Sequence, residues 1–125
     1  MQKSMSSLVK TNFTASGKNG IPMAADITYL NDLTNLPVVV YAHGINGFKD
    51  WGGMNLIAEK FAEEGFAFVK FNFSHNGTIP SRPSEFIDLE NYALDNYSTR
   101  QYDLEQVLKL LIANLHGWPI NPKQL

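Results

Sequence analysis

The chain has 125 residues, of which 44% are hydrophobic, a formal net charge of −2 and no cysteine. This size fits one domain, and the apolar content is sufficient for a core, so a wholly disordered protein is not expected. The lack of cysteine excludes disulfides and thiolate metal sites. Lysines and arginines are scattered, so neither nucleic acid nor an anionic membrane surface is a predicted partner.

The three histidines, His43, His75 and His116, are far apart in sequence and lack the spacing of metal ligands. We therefore predict no metal site, and nothing in the sequence implies a cofactor. The N-terminus has no signal-type apolar core, and no segment approaches the roughly 20 apolar residues of a membrane helix. These features favour a soluble, cytoplasmic protein.

The first third of the chain has the pattern of a β-hairpin. Residues 8–14 can form a short strand, and residues 16–20 contain an Asn-Gly pair that suits a turn. A second strand follows, in which apolar and polar residues alternate with a period of two. Its predicted buried face carries Ile21, Met23, Ala25, Ile27 and Tyr29, and its predicted solvent face carries Pro22, Asp26 and Thr28.

Two later segments are apolar on both faces, as strands of a parallel sheet are. The first is Val38–Ala42 and the second is residues 66–73. Between them, Met54, Ile57, Ala58 and Phe61 mark one face of a helix predicted over residues 53–64, with Gly65 as its terminator. The acidic residues of this helix are expected to face solvent.

A long polar stretch, residues 74–97, follows the second strand, and a short helix is possible near residues 86–94. Residues 98–101 then have the form of a capping box. The helix after it is the clearest in the sequence and ends at Gly117 and Pro119. Its apolar residues are Leu104, Val107, Leu108, Leu111, Ile112 and Leu115. The tail, residues 118–125, reads as the lead-in to another strand.

Alternating strands and helices predict an α/β fold with a parallel sheet. The run from Pro37 through His43-Gly44 to Gly52, together with residues 71–78, resembles the front of the α/β-hydrolase fold. The group most similar is that of dienelactone hydrolases and small bacterial esterases. The resemblance implies the N-terminal part of an α/β-hydrolase sheet, in which an antiparallel opening hairpin precedes parallel strands with crossover helices. Residues 1–125 would form a single, incomplete domain that lacks the nucleophile strand and everything after it.

The resemblance also implies hydrolysis of an ester or related acyl bond by a Ser-His-Asp mechanism. In that family the nucleophile lies on a Gly-x-Ser-x-Gly turn after the next strand, and the acid and base come later. No serine of this chain lies in such a setting. A triad of Ser74, His75 and Asp88 is rejected, because adjacent residues at a strand exit should point in opposite directions. The triad is thus expected outside this chain, which alone should be inactive.

The resemblance also implies that this chain contains one of the two hydrogen-bond donors of the oxyanion hole. The residue after His43-Gly44 is Ile45, whose backbone N–H would face the developing negative charge. Gly44 would let the backbone approach the substrate closely, and His43 would support the loop by hydrogen bonds. The alternative is an ordinary turn after a buried strand. His75 is interpreted as a loop histidine that helps hold Asn76 and Gly77.

Other functions remain open at this point. The chain could be a non-catalytic truncated fragment, or it could share the fold with a dehalogenase-type or binding role. In the family the strand order is first, second, fourth, third and fifth. Val38–Ala42 would then be an apolar edge open to self-association. The expected partner of the intact enzyme is a small-molecule acyl substrate.

Overall fold

The computed structural model describes residues 6–125. Within them, four strands form one open sheet in the order β1-β2-β4-β3. The strands are β1 (Leu8–Ser16), β2 (Pro22–Leu30), β3 (Val38–Ala42) and β4 (Ala67–Phe71). β2 pairs antiparallel with both β1 and β4, whereas β3 pairs parallel with β4. The predicted fold class, an opening hairpin followed by parallel strands, is confirmed.

The hairpin turn is a single turn of 3-10 helix at Lys18–Gly20. Asn19 has φ 60° and Gly20 has φ 74°, the left-handed conformation that these residue types tolerate best. The Asn-Gly pair therefore makes the turn as predicted. β1 continues two residues beyond the predicted segment, to Ser16.

One face of the sheet carries the apolar core. Its residues alternate along the strands, as the period of two predicts, and Val107 and Leu111 of the last helix pack over them. The strand residues in this core include Phe13, Met23, Ile27, Val69 and Phe71. Because these side chains are almost completely excluded from water, this face supplies most of the hydrophobic stabilisation.

The opposite face of β2 was predicted to face solvent, and this prediction holds for Pro22 but is wrong for Asp26 and Thr28. Asp26 is 0% exposed and Thr28 is 3% exposed. The face is covered by α1 (Met54–Glu63), which packs on β2 and β4, and by the loop that follows β3. A polar side chain on a period-two strand therefore lies in the interior here, and it needs a polar partner.

α1 agrees with its predicted range to within one residue at each end, and Gly65 follows it with φ 93°. Its predicted apolar face is only partly buried. Ala58 is buried, whereas Ile57 and Phe61 remain 43% and 38% exposed, and the buried residue Ala62 was not part of the predicted face.

Two helices follow β4. α2 (Leu89–Ala93) is the short helix expected within the long polar stretch. α3 (Tyr97–Ala113) begins before the predicted capping box, because the side chain of Asn96 accepts a hydrogen bond from the Thr99 N–H at 2.9 Å. α3 also ends earlier than predicted, at the left-handed residue Asn114, and this leaves Leu115 outside the helix.

The tail lies beside the start of β3. Leu36 forms a parallel bridge with Ile120, and the Val38 N–H donates to the Gln124 carbonyl oxygen at 2.7 Å. The tail thus covers the first part of the edge, which was predicted to be bare. Ala42, at the far end of β3, is exposed. Self-association through the remaining edge stays a prediction.

In residues 6–125 no helix combines the length and the apolar character needed to cross a bilayer.

Candidate active site

The loop after β3 begins with a tight turn at residues 44–47. The Gly47 N–H donates to the Gly44 carbonyl oxygen at 3.0 Å, and Asn46, the third residue of the turn, has φ 62°. Positive φ at this position is typical of a type II turn. A Cβ at Gly47 would lie 3.0 Å from the Gly44 oxygen, a tight contact that favours glycine at this position. Ile45 is at the tip of the turn and is 79% exposed.

His43 holds this turn against β4. Its ring is buried, and its Nε2 accepts a hydrogen bond from the Phe73 N–H at 3.1 Å. Nδ1 must then carry the proton, and it donates to the Gly44 carbonyl oxygen at 2.9 Å. Burial lowers the pKa of His43 to about 4, although the Gly44 contact opposes this shift. At neutral pH the imidazole is therefore uncharged, and its tautomer is fixed.

These contacts determine the direction of the Ile45 amide. The Gly44 oxygen accepts from both His43 and Gly47, so the Gly44–Ile45 peptide plane is held at its oxygen. In a trans peptide the N–H points opposite to the C=O. The Ile45 N–H therefore points away from the loop interior. Within residues 6–125 this N–H has no hydrogen-bond acceptor.

A cavity of about 310 Å³ lies next to this amide. Gly44 and Ile45 form one side, and Arg100 at the start of α3 forms another. The Arg100 Nη1 donates to the His43 carbonyl oxygen at 3.2 Å, and its guanidinium lies 4.6 Å from the centre of the Phe73 ring. Asp95 pairs with Arg100 at 2.8 Å. α3 thus also contacts this loop, through Arg100.

Three buried charges and one partly buried charge lie next to the loop, and the sequence interpretation missed them. We call Asp26, Lys49, Asp50 and Lys70 the charged cluster. The Lys70 Nζ lies 2.8 Å from both Asp26 and Asp50, and the Lys49 Nζ lies 2.8 Å from Asp26 and 2.9 Å from Asp50. One feature of the sequence could have indicated the cluster, namely Lys70 within an otherwise apolar strand. In the structure Lys70 is paired directly with Asp26 in the sheet register.

The charged cluster affects the pKa values of the loop residues. Burial alone would raise the pKa of Asp50, but hydrogen bonds from Lys70 and Lys49 outweigh it and lower that pKa to about 2. Burial would lower the pKa of Lys49, whereas its bonds to Asp26 and Asp50 raise it above the ordinary value. Both loop residues are therefore ionised at neutral pH.

A second polar group, Ser74, His75 and Asp103, contains the residue types of a catalytic triad but not its geometry. The Ser74 Oγ donates to the Asp103 Oδ2 at 2.7 Å and lies 2.7 Å from the His75 Nδ1. In a triad the histidine lies between the serine and the acid, whereas here the serine lies between them. All three are buried, and Asp103 also accepts from the Ser74 and Lys18 N–H groups.

Two details of the sequence interpretation need correction here. Ser74 and His75 were expected to point in opposite directions, but their side chains are within hydrogen-bonding distance. The backbone has left the extended conformation of β4 by this point, so strand alternation no longer applies. Asp88 has a different role from Ser74 and His75. Its carboxylate caps α2 by accepting a hydrogen bond from the Asn91 N–H. His75 contacts Ser74 rather than supporting Asn76 and Gly77.

No protein-family profile matches the chain, and no curated protein matches it. Several solved structures do. They include the hypothetical protein PA2218 from Pseudomonas aeruginosa, with 20% identity over 98% of this chain and a TM-score of 0.64. The esterase Est22 matches with 18% identity over 90% and a TM-score of 0.67. An acetyl xylan esterase from Paenibacillus sp. R4 matches with 16% identity over 99% and a TM-score of 0.60.

At these identities the similarity shows the fold. The chain spans 34%, 31% and 42% of the lengths of these three proteins, respectively. The described residues therefore share the fold of a part of each of these proteins, an open sheet of antiparallel and parallel strands with helices.

Proposed function

We propose that this chain supplies the oxyanion loop of a hydrolase that cleaves an ester or a related acyl bond. The enzyme would resemble dienelactone hydrolases and small bacterial esterases, and its Ser-His-Asp triad would lie outside the chain. The fold and the esterase names among its structural neighbours support this proposal. The observation that carries it is the unpaired, outward-facing Ile45 N–H at the end of a parallel strand.

The chemistry requires a donor at this position. When a serine Oγ attacks the acyl carbon, the serine proton passes to the histidine, and the carbonyl oxygen takes the negative charge of the tetrahedral intermediate. A preorganised N–H aimed at that oxygen lowers the barrier by roughly 3–4 kcal/mol. Ile45 would give this hydrogen bond. The second donor would be the N–H of the residue after the nucleophile.

Gly44 and His43 would support this donor in different ways. A Cβ on Gly44 would meet no described atom within 4 Å, so packing does not require a glycine there. We attribute its presence to close approach of the substrate. His43 would act through the Gly44 carbonyl oxygen, which it holds at 2.9 Å, and not as a proton carrier, because its pKa is lowered to about 4.

The test is to remove the Ile45 N–H while keeping the turn. Proline lacks the N–H and is favoured at the second position of a type II turn, so Ile45→Pro fits the backbone. In the catalytically complete protein, which contains this chain and the nucleophile strand, we expect kcat to fall by about 10²–10³.

Ile45→Ala is the matched control, because it removes the exposed side chain and keeps the N–H. Its kcat should change by less than about threefold, a difference well under 1.4 kcal/mol. Equal kcat values for the two variants would contradict the assignment of Ile45.

A further inference from the structure

The charged cluster connects the loop after β3 to the two central strands. Lys49 and Asp50 belong to the loop, whereas Asp26 lies on β2 and Lys70 on β4. Each loop residue contacts the oppositely charged strand residue at 2.8 Å. The contacts are therefore not confined to one element. They join two loop positions to two strands whose own separation is set by the sheet.

Hydrogen bonds next to the cluster continue this connection to the turn. The Lys49 N–H donates to the Asn72 Oδ1 at 2.7 Å, and the Asn76 Nδ2 donates to the Gly47 carbonyl oxygen at 3.3 Å. At the other end of the turn, the Phe73 N–H donates to His43. Residues just after β4 thus hold the loop on both sides of residues 44–47.

Stability alone does not explain a cluster in which Asp26, Lys49 and Lys70 are buried and Asp50 is partly buried. Replacing a buried ion-pair network by apolar residues of similar volume is often neutral or stabilising, because removing charge from water costs several kcal/mol per ion. In the described residues, the Asp26 Oδ1 has no hydrogen-bond partner, which adds to that cost. The charges instead provide defined geometry, because short ionic hydrogen bonds fix the positions of the atoms that they join.

We propose that the charged cluster positions the 44–47 turn, and with it the Ile45 N–H. Lys49 and Asp50 are positioning residues in this proposal, since neither lines the cavity beside Ile45. The importance of this position for catalysis rests on the proposed oxyanion role of Ile45. The ordering of the turn by the cluster does not depend on that role and can be measured without a reaction.

The variant for this test is the double substitution Lys49→Met with Asp50→Asn. It removes one positive and one negative charge from the loop. The Asp26–Lys70 pair at 2.8 Å remains, so no buried charge is left without a partner and the sheet should fold. The matched control is Lys60→Met with Glu63→Gln, which removes an exposed ion pair of 3.8 Å on α1.

The readout is amide hydrogen exchange, followed residue by residue by NMR. The Gly47 N–H is the reporter, because it closes the turn on the Gly44 oxygen. We expect its exchange to become about tenfold or more faster in the loop variant, since several charge-assisted hydrogen bonds are lost. The β4 amides should keep their protection. The Ile45 ¹H–¹⁵N resonance should shift, and the control should match the unmodified protein.

Two results would overturn the proposal. In one, the folded loop variant retains the Gly47 exchange rate and the Ile45 resonance, so the turn does not depend on the cluster. In the other, β4 loses protection to the same extent as Gly47, so the cluster holds the sheet and not the loop. Neither result bears on the oxyanion role, which the Ile45→Pro experiment tests separately.

Discussion

At the central strands β2 and β4 both faces of the sheet are buried, but they are buried by different means. The face toward α3 contains apolar side chains such as Val69 and Phe71, packed against Val107 and Leu111. The face toward α1 contains Asp26 and Lys70, together with the loop residues that pair with them. Adjacent residues of β4 therefore have opposite chemistry, although Val69, Lys70 and Phe71 are each 0% exposed.

We infer that the apolar face mainly stabilises the sheet, whereas the charged face mainly fixes the positions of atoms. Apolar burial is proportional to area and has no preferred direction, so it stabilises the sheet without fixing any single atom. Ionic hydrogen bonds give little net stability after desolvation, but they fix distances and angles. In this chain the directional face is the one that contacts the loop carrying Ile45. Two predictions follow from this division, and the one with the larger expected effect comes first.

The charged face should tolerate the loss of a balanced pair far better than the loss of one member. Lys70→Met leaves Asp26 buried with only Lys49 beside it and should lower the free energy of unfolding by about 3–5 kcal/mol. Adding Asp26→Leu removes the second buried charge, so most of this loss should be recovered. Urea unfolding of both variants at pH 7 measures the two values.

Lys60→Met is the control for removal of a lysine, because Lys60 is exposed and should change stability by less than about 0.5 kcal/mol. If the double variant is as unstable as Lys70→Met, or less stable, the charges themselves stabilise the sheet. The division between the two faces would then be wrong.

The contact between the loop and the apolar face should depend on pH through His43, whose ring lies edge-on to Phe73 at 4.9 Å. Burial lowers its pKa from 6.5 to about 4, so between these pH values the unfolded chain binds a proton that the folded protein does not. The stabilisation is therefore complete above pH 6.5 and is lost as the pH falls toward 4. Lowering the pH from 7 to 4.5 should cost roughly 2–3 kcal/mol from this group.

Urea unfolding at the two pH values measures this loss, and His43→Asn identifies its source. The variant lacks the titrating ring, so its stability should fall by roughly 2–3 kcal/mol less over the same pH interval. If the pH dependence is the same with and without His43, the imidazole is not held neutral in the folded protein.

The sequence predicted the parts of this fold that depend on local pattern. Both hairpin strands, the parallel pair, α1 and α3 are found close to their expected positions, because period and turn chemistry determine them locally. The errors concern contacts between distant residues. A period of two shows that Asp26 faces away from the core, but only the packing of the loop and α1 shows that this face is buried.

The candidate site shows the same limit. The sequence indicated the order His43, Gly44 and Ile45 after a buried strand, and the structure places these residues in a turn with the Ile45 N–H unpaired. It did not indicate Arg100 or the charged cluster. Their partners are 20 or more residues away in sequence, apart from the Lys49–Asp50 and Arg100–Asp95 pairs. No local rule connects such residues.

We propose, as the central claim, that this chain carries an oxyanion donor but no nucleophile. The direct measurement is pre-steady-state hydrolysis of p-nitrophenyl acetate by the purified 125-residue chain, beside its Ser74→Ala variant. We expect no burst of p-nitrophenol from either protein and equal slow rates, because the Ser74 Oγ is buried and donates to Asp103. A burst equal to the protein concentration that disappears in Ser74→Ala would contradict the claim, because it would place a working nucleophile within these residues.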